Sequence, residues 1–154
     1  MTTNDQFTYK EMSSDKLYEV LELVRDVFMK YEAPDYTDEG IEEFLRFLDP
    51  DEITDMLEEE KMKIWICEHK DKIVGMIACR EDHINLLFVR GEHHRKGVAR
   101  HLLNIMIDHY KPSTITVNSS PYALEAYKRL GFTETAPEKT ENGIRFTPMI
   151  RVLH

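Results

Sequence analysis

Apolar positions change their spacing several times along the chain, and each change predicts a new element. Residues 7–12 alternate weakly, as a short first strand would. Leu17, Val20, Leu21, Val24, Val27, Phe28 and Tyr31 then recur every three or four positions, the stripe of an amphipathic helix. Ser13 and Ser14 cap that helix, and Pro34 ends it. Ile41, Phe44, Leu45 and Leu48 share one face of a second helix that starts near Thr37. Asp49-Pro50-Asp51-Glu52 opens a third, with proline at its first position and Glu58–Glu60 as its solvated end.

From Met62 the pattern turns to β. Met62–Glu68 and Ile73–Cys79 flank His69-Lys70-Asp71-Lys72, which reads as an antiparallel hairpin, and Ile84–Val89 adds a third strand. Helical spacing returns over Lys96–Tyr110 and stops before Pro112. Thr114–Asn118 is a short strand, and Tyr122–Leu130 is a helix closed by Gly131. Phe132–Thr135 and Ile144–Ile150 finish the chain as strands, the second after an Asn142-Gly143 turn. Pro148 places that last strand at an edge or a bulge, and such an edge would support a homodimer. Strands and helices are mixed rather than regularly alternating. The fold class is therefore α/β (α+β), a single domain over 1–154 with one mostly antiparallel sheet. Ile84–Asn118 forms a β-helix-β crossover, so its two strands run parallel.

Composition narrows the class of protein. At 154 residues, with 42% hydrophobic and 32% charged residues, the chain can bury a core without metals or disulfides. No apolar run reaches membrane-span length, and the N-terminus has neither region of a signal peptide, so a cytoplasmic location is expected. Folding the hairpin about Lys70–Asp71 sets Cys67 near Val74 rather than Cys79, so both cysteines are read as small buried hydrophobes. The formal charge of −9 disfavours nucleic acid and suits cationic or amine-bearing partners.

Against that acidic background, Arg90-Gly-Glu-His-His-Arg-Lys-Gly-Val-Ala-Arg-His-Leu-Leu103 stands out as basic. It joins a strand to a helix through a glycine-bearing turn. The first amides of a helix lack partners, and the helix dipole adds roughly half a positive charge there, so the turn reads as a phosphate cradle. His93, His94 and His101 raise the idea of a metal. Adjacent histidines in such a turn point apart, and no Cys/His or Glu/His pattern completes a site, so no metal is expected.

Two motifs carry a resemblance. His94-Arg95-Lys96-Gly97-Val98-Ala99 is similar to the Gln/Arg-x-x-Gly-x-Gly/Ala pyrophosphate motif of the GNAT superfamily of acetyl-CoA-dependent N-acetyltransferases, with His94 at the Gln/Arg position. Asn118, followed by Ala126-Tyr127-Lys128-Arg129-Leu130-Gly131-Phe132, resembles the second half of that signature. The resemblance spans nearly the whole chain. It implies a twisted sheet flanked by helices, acetyl-CoA as co-substrate, and direct transfer to a primary amine of a small molecule or peptide. A non-catalytic acyl-CoA-binding module on the same fold is the alternative. By the same resemblance, His94, Arg95, Lys96, Gly97, Val98, Ala99 and Arg100 would hold the pyrophosphate. The backbone at Phe88 and Val89 would pair with the pantetheine arm, and Asn118 would bind that arm or an ordered water.

Acetyl transfer needs an amine stripped of its proton, a stabilised oxyanion and a protonated leaving thiolate. Tyr127 sits where the family places the general acid. The base is open. Asn85 occupies roughly the region where some relatives carry Glu, while His83, Asp82 and Glu32 are further candidates, and a water relay from a remote carboxylate would also serve. The Tyr31–Tyr36 segment would help shape the acceptor pocket.

Overall fold

The computed structural model describes residues 6–153. In chain order the elements are β1 (Thr8–Glu11), α1 (Leu17–Val27), α2 (Asp38–Arg46), α3 (Pro50–Glu58), β2 (Lys63–His69), β3 (Lys72–Arg80) and β4 (His83–Val89). There follow α4 (Val98–Tyr110), β5 (Thr114–Ser119), α5 (Leu124–Arg129), β6 (Thr133–Glu134), β7 (Lys139–Glu141) and β8 (Ile144–Val152). The strands lie in the order β1-β2-β3-β4-β5-β8-β6, with β7 also paired to β8. Every pairing is antiparallel except β4 with β5, the crossover through α4.

Central strands here are apolar on both faces because both faces are covered. Along β2, Ile64 and Ile66 join a core with Val20, Val24 and Ile53 from α1 and α3. Trp65 and Cys67, on the opposite face, pack with Leu102 and Met106 of α4 and with Leu130 and Phe132. Burying each such aliphatic side chain contributes roughly 1.5–3 kcal/mol. Gly75 lets α4 sit close on β3, since a Cβ there would lie 2.9 Å from Val98 Cγ1.

Several boundaries differ from expectation for identifiable reasons. Helix α4 starts at Val98 rather than Lys96, because Gly97 is its cap in a left-handed conformation at φ 81°. The first helix does not simply end before Pro34. It continues as a π-helical turn, Phe28–Glu32, and then a 3₁₀ turn, Ala33–Asp35, that holds the proline. Strand β7 is too short and polar to leave a periodic signal. A register shift between Cys67 and Glu68 puts Cys67 opposite Gly75, not Val74, and Cys79 opposite Lys63; both thiols are free and buried.

The edge predicted from Pro148 is overturned. β8 lies between β5 on one side and β6 and β7 on the other, so it is not an edge strand of the sheet. In an antiparallel ladder one residue's carbonyl and N–H face the same neighbour. Pro148 turns its carbonyl, and so its missing N–H, toward the end of the two-residue β6, where Thr135 N–H donates to it at 2.9 Å. The ladder to β5 loses nothing.

Candidate active site

The site begins where the sheet opens. β4 and β5 pair only at His83 with Thr116 and Ile84 with Val117, and beyond these residues the strands part. β4 meanwhile stays on β3 as far as Val89. Arg90 N–H donates to Val74 O at 2.8 Å, so alternation turns the backbone of Phe88 toward β3 and that of Leu87 and Val89 toward the opening. Phe88 itself is buried, its ring set edge-on to Phe44. The opening widens into a cavity of about 1120 Å³, lined at one end by Gly97, Val98, Ala99 and Arg100 and elsewhere by Glu32, Asn85, Asn118 and Tyr127.

At the α4 end the geometry is that of an anion cradle. His101 N–H reaches back to Gly97 O at 3.0 Å, which leaves the amides of Val98, Ala99 and Arg100 with no carbonyl one turn behind them. A Cβ on Gly97 would meet nothing within 4 Å, so the space over the helix end is open. Unpartnered amides, open space and the positive end of a 13-residue helix fit a pyrophosphate. Arg95 also adopts a left-handed backbone at φ 64°, and Arg95 and Lys96 are exposed beside the cradle. The Arg100 guanidinium instead donates to Arg129 O at 2.9 Å, capping the end of α5. His94 turns inward, its Nε2 2.6 Å from Val89 O.

The three histidines of this region have separate neighbours. His93 packs against Phe7 and His69, His94 binds Val89, and His101 stacks on Tyr9 at 3.8 Å. Among the described residues no group of three or more His, Cys, Asp or Glu could hold a metal ion.

Tyr127 is buried, 7% exposed, and meets Phe132 edge-on at 5.5 Å. Burial first, then the charge of Glu32, raises its phenol above the ordinary range, so it stays protonated at neutral pH. Asn118 is exposed on the cavity wall and opposes Pro148 in the β5–β8 ladder.

Among the candidate bases, structure separates what sequence left open. Asp82 is exposed and not part of the cavity wall, and its carbonyl receives Thr116 N–H at 2.9 Å. His83 lines the cavity, but its Nδ1 lies 2.8 Å from Thr116 Oγ1, and burial followed by Arg80 lowers its basicity. Glu32 ends the π-helical turn and lines the cavity. Burial pushes its carboxyl up to about 7, assisted by Asp35 and opposed by a hydrogen bond from Ser120. No periodicity marks this residue. A π-helical turn rotates it off the α1 stripe, and a single Glu beside Ala33 looks solvated in sequence.

Aromatic packing ties this acid's segment to the cradle. Tyr31 stacks on Tyr122 at 5.1 Å and lies 5.2 Å from the His94 ring. Gly91 makes room for it, since a Cβ there would lie 1.9 Å from the Tyr31 hydroxyl.

The sheet thus opens between β4 and β5 with an anion cradle at the head of the crossover helix, the arrangement that the sequence resemblance implies. The sequence profile of the acetyltransferase (GNAT) domain matches residues 32–153, and the chain belongs to that family. A stretch of 88 residues is 34% identical to the uncharacterized N-acetyltransferase YafP of Escherichia coli K12, covering 56% of this chain and 57% of that protein. The fold is similar to that of a GCN5-related N-acetyltransferase from Rhodopseudomonas palustris, with a TM-score of 0.83 at 17% identity over 99% of both chains. It is also similar to the PaiA N-acetyltransferase of Thermoplasma acidophilum, solved with coenzyme A, at a TM-score of 0.75 and 16% identity over 96% and 99%. Among the described residues no helix is long and apolar enough to cross a membrane.

Proposed function

We propose that this protein is an acetyl-CoA-dependent N-acetyltransferase that acts on a primary amine by direct transfer. One observation carries the reading: Glu32, poised near pH 7, and Tyr127, held protonated, line the same cavity as the open end of α4. Acetyl-CoA would supply the acetyl group as a thioester. The amides of Val98, Ala99 and Arg100 would hold its pyrophosphate, with Arg95 and Lys96 beside them, and the backbone of Leu87 and Val89 would receive the pantetheine arm along the open edge of β4.

Each remaining role follows from protonation state. An alkylammonium has a pKa near ~10.4, so it needs a base, and a carboxylate near 7 accepts its proton more readily than an ordinary Glu would. A phenol raised by burial keeps its proton until a thiolate needs it, so Tyr127 donates. Half-buried Tyr36 and exposed Phe47, both on the cavity wall, would contact the body of the amine.

Calorimetric titration with acetyl-CoA, followed by a thiol-release assay over a panel of primary amines, tests this reading. Saturable binding and amine-dependent thiol release are expected. Binding without transfer across the panel would leave the non-catalytic acyl-CoA-binding alternative, and no binding at millimolar acetyl-CoA would overturn both.

A further inference from the structure

Asn85 carries a buried side-chain oxygen, Oδ1, with no hydrogen-bond partner. Folded proteins seldom retain such an atom unless something fills its need. Its place in the fold says what could. The β3–β4 register shifts between Ala78 and Cys79: Cys79 opposes Ile84 and Ala78 opposes Leu86, so Asn85 is the extra residue of a β-bulge. It is also the first residue of β4 past the last pair with β5. A bulge re-aims one side chain out of the regular alternation. Ile84 joins the core under α4 and Leu86 packs with the core under α1, while Asn85 joins the wall of the cavity that Glu32 and Tyr127 also line. Its neighbour His83 is engaged with Thr116.

We propose that Asn85 Oδ1 accepts a hydrogen bond from the acceptor amine and orients it for attack, while Glu32 takes its proton. This rests on the acetyltransferase reading above and adds a reason for preferring nitrogen to oxygen. An ammonium has N–H groups for both Glu32 and Asn85, and after losing one proton it still has one for Asn85. A hydroxyl has a single proton and cannot serve both.

The test compares wild type with Asn85→Leu, similar in volume but apolar, and Asn85→Asp, which keeps an acceptor oxygen. The probes are 2-phenylethylamine and spermidine, with acetyl-CoA affinity and melting temperature measured in parallel. Asn85→Leu should raise KM for the amine tenfold or more, leave acetyl-CoA affinity within twofold and melt no lower than wild type. Asn85→Asp should keep KM at or below the wild-type value. Rescue by Asp distinguishes an acceptor of hydrogen bonds from a merely structural amide. An unmoved KM in the Leu variant overturns the role of Asn85 alone, as does a folded Asp variant impaired as severely as Leu. A wild-type protein that binds acetyl-CoA but acetylates neither probe nor any other amine overturns the acetyltransferase reading, and the role of Asn85 with it.

Discussion

His94 donates its Nε2–H to the carbonyl of Val89 across 2.6 Å. A carbonyl can only accept, so the contact fixes which ring nitrogen carries the proton. It also ties the turn before α4 to the end of β4, the two pieces of backbone that would meet the pyrophosphate and the pantetheine arm of acetyl-CoA. A net hydrogen bond is worth about 0.5–1.5 kcal/mol, so His94→Leu should weaken acetyl-CoA binding roughly two- to tenfold. His94→Gln, which keeps a donor, should stay within twofold. Calorimetry on both variants decides, and equal affinities for Leu and Gln would remove the tie from the binding account.

Gly97→Asp should fold and lose acetyl-CoA. The position has φ 81°, where an L residue costs about 1–2 kcal/mol, but its Cβ would enter open space and clash with nothing in the protein. A carboxylate there repels phosphate, so affinity should fall at least about tenfold, or 1.4 kcal/mol. Gly97→Ala separates the two effects by keeping only the strain. Should Asp bind as tightly as Ala, phosphate does not sit at this helix end.

Tyr127→Phe should cut kcat by about 10²-fold or more and leave acetyl-CoA affinity nearly unchanged, as loss of a general acid does. The ring packs with Phe132 in an apolar core, so the fold survives the loss of the hydroxyl. Steady-state kinetics beside a melting curve suffice. An unaltered kcat would refute the acid role.

Glu32 predicts two pH effects of opposite sense. As a base it must be ionised, so kcat/KM should fall as pH drops through about 7, and Glu32→Gln should be slower by about 10²-fold and lack that limb. For stability, the folded carboxyl sits above its unfolded value of 4.5. The protonated form is the one the fold favours, so its contribution is complete below about 4.5 and is lost as pH rises through about 7. Glu32→Gln should therefore melt higher than wild type at pH 8 and match it at pH 4. A pH-rate profile that Glu32→Gln leaves intact would assign the base elsewhere.

Gly40→Ala should destabilise, against helix propensity. In an exposed helix Ala is favoured over Gly by about 0.8–1.0 kcal/mol. Here the added Cβ would sit 2.1 Å from Gly143 O, at the turn between β7 and β8, and backbone cannot swing aside. Overpacking of this kind costs about 1–3 kcal/mol, a drop of several degrees in melting temperature. A rise in melting temperature would show that α2 and this turn are not in close contact.

Sequence alone determined the parts whose signals are local. Alternation and helical spacing marked the helices and all the longer strands, because burial of one face or stripe repeats within a few residues. The basic turn and its glycine were legible because a left-handed cap and free helix amides are properties of adjacent positions. The motif around Tyr127 singled that residue out in the same way. Tertiary structure decided what depends on distant segments meeting. Pro148 looked like an edge residue, yet β8 is internal, since only the full strand order shows which neighbour its missing N–H faces. His94 stands in the phosphate motif of the sequence, and only the fold shows that its ring reaches Val89 O. Glu32 and Asn85 stood in the sequence only among several open candidates for the base. One acquires its basicity from burial beneath segments far along the chain, and the other its unpartnered oxygen from a bulge at the fork of the sheet. The proposed cradle is written in neighbouring residues, whereas the groups proposed to act opposite it meet only once the chain has closed around the cavity.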